Sequence, residues 1–189
     1  GDSAKGAIDI AYKFRNKSNE LKKGNFTSDF HMMSYYYENA VAATAIAMAY
    51  GLPVEIIKEG LANFKGLSVH MEYIGDYNGR EVYIDASYLI EGITAALDFL
   101  GDRSLVLLLD NFDTSTYRDK KETGKLMGKY ANVMVATGFN EVYQRVDLEP
   151  AQELLDAAVD SDAVKVIAGT MEEGAELAIK YSKPGDTIL

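Results

Sequence analysis

The sequence predicts an α/β protein: a Rossmann-like, open and mostly parallel sheet with an antiparallel hairpin at its N-terminal side, preceded by a helical segment. Three observations carry this. Short, continuously apolar and β-branched runs recur at 105–109 (LVLLL), 133–137 (VMVAT), 164–168 (VKVIA) and 187–189 (TIL). Stretches with helical periodicity separate them, at 91–100, 119–131, 149–159 and 171–182. Two short alternating runs, MEYIGDY and REVYID, are joined by Asn78-Gly79. Strands buried on both faces read as unbroken apolar runs, and parallel neighbours need helical crossovers, so the alternation gives a sheet covered on both sides. Asn-Gly accepts the positive φ values of a two-residue hairpin turn.

The other elements follow in chain order. Residues 1–30 are polar and mixed, and FRNKSNELKKGNFTS shows no period, which predicts irregular structure or short strands. From 34 to 49 the Ala-rich SYYYENAVAATAIAMA, with Ala43, Ile46 and Tyr50 at helical spacing, predicts a buried helix. The triple Tyr35-Tyr36-Tyr37 cannot share one helical face, so one ring is expected to pack and another to be exposed. Gly51 ends that helix and Pro53 suits the first turn of the next. There Ile56, Ile57, Leu61 and Phe64 share a face, and Gly66 is the stop.

Composition removes several function classes. The 189 residues are 48% hydrophobic, with 13 Tyr and 7 Phe, which is too apolar for a disordered chain. No apolar run is long enough to span a bilayer. GDSAKGAIDIAYK lacks the basic and apolar regions of a secretion signal, so a cytoplasmic protein is expected, consistent with the absence of Cys. Without Cys there is no disulfide, thiol nucleophile or thiolate metal site, and His31 and His70 alone offer little for a histidine-based one. Nineteen basic against 29 acidic residues give a net charge of −10, which opposes nucleic acid and anionic membrane as partners.

In an open α/β sheet, ligands bind beyond the carboxyl ends of the strands. Those ends read Asp85-Ala86-Ser87-Tyr88, Asp110-Asn111-Phe112-Asp113, Thr137-Gly138-Phe139-Asn140 and Gly169-Thr170-Met171. Such residues are also preferred helix caps, and Thr170 to Glu173 fits a capping box. Asp110 and Asp113 could hold a divalent cation, against the plainer reading of solvated loop acids. No GxGxxG, GxxxxGK[ST] or GxSxG is present. Gly124-Lys125-Leu126-Met127-Gly128-Lys129 falls inside a predicted helix, where it cannot wrap a phosphate.

Blocks of this chain resemble the Mur ligase family, in order from about residue 35 to 189. Tyr37-Glu38-Asn39-Ala40-Val41-Ala42-Ala43 with Gly51-Leu52-Pro53 resembles HNxxNAlAA…lGi. IIKEGLANFKGLSVHMEYIG, at 56–75, resembles the junction into the family's C-terminal domain, written i..gL..f.g..gR.e.i. Val82 to Tyr88 stands where the family has v.iDyAH or, in the dipeptide-adding branch that the pattern matches best, iDDaYNANP; Ala95 to Leu100 continues the match. Arg118-Asp119 with Lys125 to Ala131 resembles RD..KR..Mg..a, and Gly174 to Ile179 with Pro184 to Leu189 resembles AI..A…pgD.vL. The departures are Tyr35 and Tyr36 for the His-Asn pair, His70 for the junction arginine, and Leu89-Ile90-Glu91-Gly92 for NANP. Thr137–Arg145 lacks the DNPR signature.

The resemblance implies an ATP-dependent ligase that joins a carboxylate to an amine through an acyl-phosphate, with Mg²⁺ on the phosphates. Residues 1–66 would be the end of the central ATP-binding domain, and 67–189 the C-terminal domain. The phosphate loop and modified lysine would lie in the partner domains, so this chain alone is not expected to be a complete enzyme. ATP and Mg²⁺ would be bound mainly there, and the partners would be those domains and small carboxylate and amine substrates. By resemblance Asn39 would face the adenine, His70 would take the arginine's place at the ribose or phosphates, Asp85 would bind the ribose, and Tyr88 would line the same pocket with Glu91. Arg118 and Lys125 would hold an anionic substrate group, and Asn140 lies where amine selectivity is expected. Each has a plainer alternative: a satisfied helix amide for Asn39, a linker residue for His70, packing for Tyr88, a solvated helix face for Arg118 and Lys125. The competing function is a non-catalytic Rossmann-like module that binds a nucleotide or small acid, and a third is an unrelated doubly wound enzyme.

Overall fold

From Ile8 to Phe14 every second residue is apolar, and this period of two makes a strand. In the computed structural model, which describes residues 6–16, 18–30, 32, 36–111 and 119–189, β1 (Ala7–Arg15) pairs antiparallel with β2 (Leu21–Asp29) from Ala7↔Asp29 to Arg15↔Leu21. Asn16 turns the chain: its Oδ1 accepts the Ser18 and Glu20 N–H groups at 3.0 and 2.9 Å, and Asn19 takes φ +62°. The expectation of irregular structure or short strands for residues 1–30 is thus corrected to a hairpin of two nine-residue strands. The intervening Asp, Lys and Arg belong to its exposed face.

The chain divides between Leu67 and Ser68 into two units. The first holds β1, β2, α1 (Tyr37–Ala49) and α2 (Val54–Asn63), around Ile8, Ile10, Phe30, Tyr36, Ala40, Met48, Ile57 and Leu61. In α1 the buried residues are Ala40, Thr44 and Met48, one stripe at i+4 spacing. Ala43, Ile46 and Tyr50 lie on the exposed side, with Ile46 61% and Tyr50 77% accessible, so the expected buried helix is buried on one face only. In α2 likewise Ile57 and Leu61 are buried, whereas Ile56 is exposed and Phe64 follows the helix end. Tyr36 is buried and Tyr37 packs on Phe30; Tyr35, like His31, lies outside the described residues.

The second unit contains β3 (Glu72–Tyr77), β4 (Arg80–Ile84), α3 (Ile90–Leu100), β5 (Leu105–Leu109), α4 (Lys120–Tyr130), β6 (Ala131–Thr137), β7 (Phe139–Asn140), β8 (Arg145–Val146), α5 (Glu149–Ala157), β9 (Val164–Ala168), α6 (Met171–Tyr181) and β10 (Thr187–Ile188). Its six-stranded sheet has the order β3-β4-β10-β5-β6-β9, antiparallel at β3–β4 and parallel elsewhere. The expected fold class is borne out. Crossovers from β4 to β5, β6 and β9 all move one way along the sheet, and the return to β10 moves the other way. Right-handed connections therefore place α3, α4 and α5 on one face and α6 on the opposite face. Val106, Met134, Val135 and Leu154 are wholly buried between these layers. Asn78 (φ +49°) and Gly79 (φ +79°) make the β3–β4 turn. The short β7–β8 hairpin is an element the sequence pattern did not predict.

Two features explain residues whose role the sequence left open. Gly124 and Gly128 both face α5: a Cβ on the first would lie 2.2 Å from the Leu154 carbonyl oxygen, and one on the second 2.7 Å from Ala158 Cβ. The glycines of the GKLMGK run are thus helix-packing residues. Arg80, 8% exposed, closes the C-terminus of α6, donating from Nε to Ser182 Oγ (2.6 Å), from Nη2 to the Ser182 carbonyl (2.9 Å) and from Nη1 to the Asn78 carbonyl (3.0 Å). A cation there meets the negative end of the helix dipole. Among the described residues no helix is long and apolar enough to cross a membrane.

Candidate functional site

The first residue beyond β4 is Asp85, half-buried at the carboxyl edge of the sheet. Its Oδ1 accepts the Ser87 N–H and its Oδ2 the Met71 N–H, each at 2.8 Å. A carboxylate oxygen has about two lone-pair directions, so each oxygen keeps one for a ligand. Two acceptors on one rigid group suit a pair of neighbouring hydroxyls.

Met71 belongs to a loop, Ser68 to Met71, in which two non-glycine residues take left-handed backbone: Val69 at φ +53° and Met71 at φ +49°. For a β-branched residue this is a true outlier, costing on the order of 1–3 kcal/mol. Its surroundings hold it. Glu72 Oε2 accepts the Val69 N–H at 2.7 Å and the Ser68 hydroxyl at 3.0 Å. The Val69 carbonyl accepts the Ala86 N–H at 2.8 Å, and the Met71 side chain is 1% exposed. Between the two strained residues stands His70, exposed, its Nδ1 2.8 Å from the Ser68 carbonyl, which selects the tautomer protonated at Nδ1. The loop and the Asp85–Ser87 segment are therefore stitched together, and His70 stands between the two loop residues, Val69 and Met71, that make the ties. Tyr88 follows at 52% exposure, and Leu89 begins α3 without a side-chain cap. Glu91 is in the first turn of α3, where a carboxylate meets the positive end of the helix dipole.

The Val69 amide and, secondly, the Ser68 hydroxyl hold the Glu72 carboxyl below its ordinary value near 4.5. At the start of α4, Asp119 Oδ1 accepts the Lys121 and Glu122 N–H groups, and these amides, Glu122 first, hold its carboxyl below 3.8. A depressed carboxylate contributes stability that is full above its unfolded-state value and is lost as pH falls through the folded one. Acid titration followed by amide NMR is thus expected to show the Val69, Lys121 and Glu122 resonances moving at lower pH than freely exposed carboxylates titrate. Movement at or above pH 4.5 for Val69 would contradict the geometry.

At the next strand end, Asp110 turns back to accept the Asn111 N–H, and the buried Asn111 side chain donates to the Gly138 carbonyl at 3.0 Å, tying the ends of β5 and β6. Asp113 lies outside the described residues. Among those that are described, no group of three His, Asp or Glu side chains could hold a metal ion. Asp85 thus presents two acceptor oxygens, and the described residues supply no cage for a divalent cation. The capping box forms as predicted: Thr170 Oγ1 accepts the Glu173 N–H, and Glu173 Oε2 accepts that of Gly169.

No protein-family model matches the chain. Over 153 residues it is 30% identical to a UDP-N-acetylmuramoylalanine--D-glutamate ligase of Shouchella clausii, a match that covers 80% of this chain and 31% of the relative. Its fold matches a murein peptide ligase from Psychrobacter arcticus with a TM-score of 0.67 at 19% identity, over 100% of this chain and 38% of that one. The relatives of this chain are Mur ligases, matched over 80% of its length. The chain spans about a third of the length of the curated relatives it matches. A folylpolyglutamate synthase of Mycobacterium tuberculosis, solved in complex with ADP, shares the fold at a TM-score of 0.66 and 16% identity, over 89% of this chain and 39% of that one.

The remaining residues expected from the Mur ligase pattern are dispersed. Asn39 sits on the exposed side of α1 in the first unit, with no side-chain hydrogen bond among the described residues. Arg118 lies outside the described residues. Lys125 is exposed on α4, beside a cleft that Lys121 and, from α5, Glu149, Glu153 and Asp156 also line. Asn140 is 1% exposed, and its Oδ1 accepts the Val142 and Tyr143 N–H groups at 3.1 Å, which makes it the pivot of the β7–β8 turn. Glu72 was not singled out from sequence as a site residue. Its signal was the lower-case e of the Mur ligase junction block.

Proposed function

We propose that this chain is the C-terminal portion of an ATP-dependent carboxylate–amine ligase of the Mur type. Residues 1–66 are read as the end of the central ATP-binding domain and 67–189 as the C-terminal domain. The observation that carries this is Asp85, a carboxylate at the carboxyl end of β4 with an acceptor direction free on each oxygen and its orientation fixed from both sides. In this reading Asp85 takes the ribose hydroxyls, with His70 and Tyr88 beside the same nucleotide. ATP supplies the phosphoryl group that activates the carboxylate substrate, and Mg²⁺ neutralises the phosphates. The residues of this chain bind and orient, and closure of the C-terminal domain excludes water.

Calorimetry and turnover test the proposal. The full-length protein is expected to bind ADP and to release phosphate only when both acid and amine are present, whereas the chain alone should not turn over. Asp85→Ala removes a charge-assisted hydrogen bond worth about 1.5–3 kcal/mol, so ADP affinity should fall about 10–100-fold. Enzymatic ATP hydrolysis by the chain alone, or an unchanged ADP affinity in the variant, would sink the proposal. Nucleotide binding by a full-length protein that never turns over would favour the binding-module reading instead.

A further inference from the structure

We infer that Glu72 is the positioning residue of the nucleotide site: it holds the Ser68–Met71 loop in its left-handed form, and that loop in turn holds Asp85. The inference rests on the ribose reading of Asp85 above. The segment Ser68-Val69-His70-Met71 contains no glycine, so residue type does not supply the positive φ at Val69 and Met71. Partners must impose it. The Val69 N–H is held by Glu72, the Val69 carbonyl by the Ala86 N–H, and the Met71 N–H by Asp85. Two of these three ties join the loop to the Asp85–Ala86 segment. The third, to Glu72, anchors the loop to the start of β3 and thereby to the sheet.

Glu72 Oε2 also accepts the Ser68 hydroxyl, so one carboxylate oxygen fixes the loop at two consecutive residues. Released from it, Val69 is expected to relax to negative φ. That turn of the peptide draws the Val69 carbonyl off Ala86 and the Met71 N–H off Asp85. Asp85 then keeps only the local Ser87 amide, and its second oxygen is free to rotate away from the ligand. The role requires an acceptor oxygen at this reach. Glutamine keeps the reach and an oxygen but loses the charge, which makes Glu72→Gln the conservative rescue of Glu72→Ala.

The test uses the full-length protein, with ADP as probe and amide exchange as a second readout. Glu72→Ala should speed exchange at Met71 and Ala86 about tenfold while the Val106 and Val135 amides in the sheet are unaffected. It should raise KM for ATP about tenfold with kcat little changed, and Glu72→Gln should recover part of both effects. In an Asp85→Ala background, Glu72→Ala should cause no further loss of ADP affinity, because it acts through Asp85. Additive losses overturn the inference, and so does unchanged exchange at Met71. If the unsubstituted protein binds no ADP, it is the ribose reading of Asp85 that fails, and the role of Glu72 falls with it. If ADP binds and Glu72→Ala changes neither affinity nor exchange, only the positioning role fails.

Discussion

Replacing Arg80 with alanine is expected to destabilise the second unit by about 2–4 kcal/mol and to lower its melting temperature by about 10 °C. The guanidinium is buried, with no carboxylate partner among the described residues. Its charge is met instead by the carbonyls of Asn78 and Ser182 and by the Ser182 hydroxyl, all at 3.0 Å or less. Truncation leaves those acceptors without their donor and the end of α6 without its cation. It also unlatches the β3–β4 turn from that helix, because one side chain serves both. Lysine keeps the charge but lacks the planar fork that reaches three acceptors at once, so Arg80→Lys should recover less than half of the loss. Thermal unfolding followed by circular dichroism would check this. A loss below about 1 kcal/mol for Arg80→Ala would show that water replaces the guanidinium without penalty.

Gly124→Ala is expected to be the other severe substitution, at about 2–3 kcal/mol net. In an exposed helix the change would be favourable by about 1 kcal/mol, since alanine has the better propensity. Here the new Cβ would meet the Leu154 carbonyl oxygen at 2.2 Å and Ala157 Cβ at 2.9 Å, so α4 and α5 must move apart and open the core at Leu154. Overpacking against backbone outweighs propensity. Gly60 in α2 supplies the control, because nothing lies within 4 Å of its would-be Cβ. Gly60→Ala should stabilise the first unit by up to about 1 kcal/mol. Opposite signs from one chemical change in one chain, measured by denaturant titration of the two unfolding steps, would establish close packing as the cause. A neutral or favourable Gly124→Ala would refute it.

The parts legible in the sequence were those whose signal is local. Val106, Val133 and Val135 announce a strand buried on both faces by lying in unbroken apolar runs, and Asn78-Gly79 announces its turn by backbone chemistry alone. The first hairpin was legible only as irregular structure or short strands, because Lys13, Lys22, Lys23 and Arg15 dilute the alternation of Ile8, Ile10, Tyr12 and Phe14. In α1 the helix was readable, but the buried face was not: an alanine-rich helix carries apolar residues all round, and the packing of Ala40, Thr44 and Met48 depends on β1 and α2. Asp85 was readable because a strand's carboxyl end is a topological position. Glu72 and Arg80 were opaque for the reverse reason. Arg80 acts on Ser182, 102 residues away, and the work of Glu72 is to hold a backbone conformation that no residue in its loop prefers. Asn140 illustrates the same limit, since an amide that shapes a turn and one that meets a substrate are written with the same letter.

The place of β10 bears on how this protein is made. Residues 187 and 188 fill an interior slot, with β4 on one side and β5 on the other. While a ribosome is still reading the preceding codons, β4 and β5 have no direct pairing with each other and the sheet is in two pieces. Both borders of that gap are parallel edges rich in Val, Leu and Ile, the kind of nascent surface that invites intermolecular pairing. Closure must await the emergence of Thr187 and Ile188, so the second unit is expected to gain its cooperative structure only once β10 is made, with long-range contacts that make that step slow.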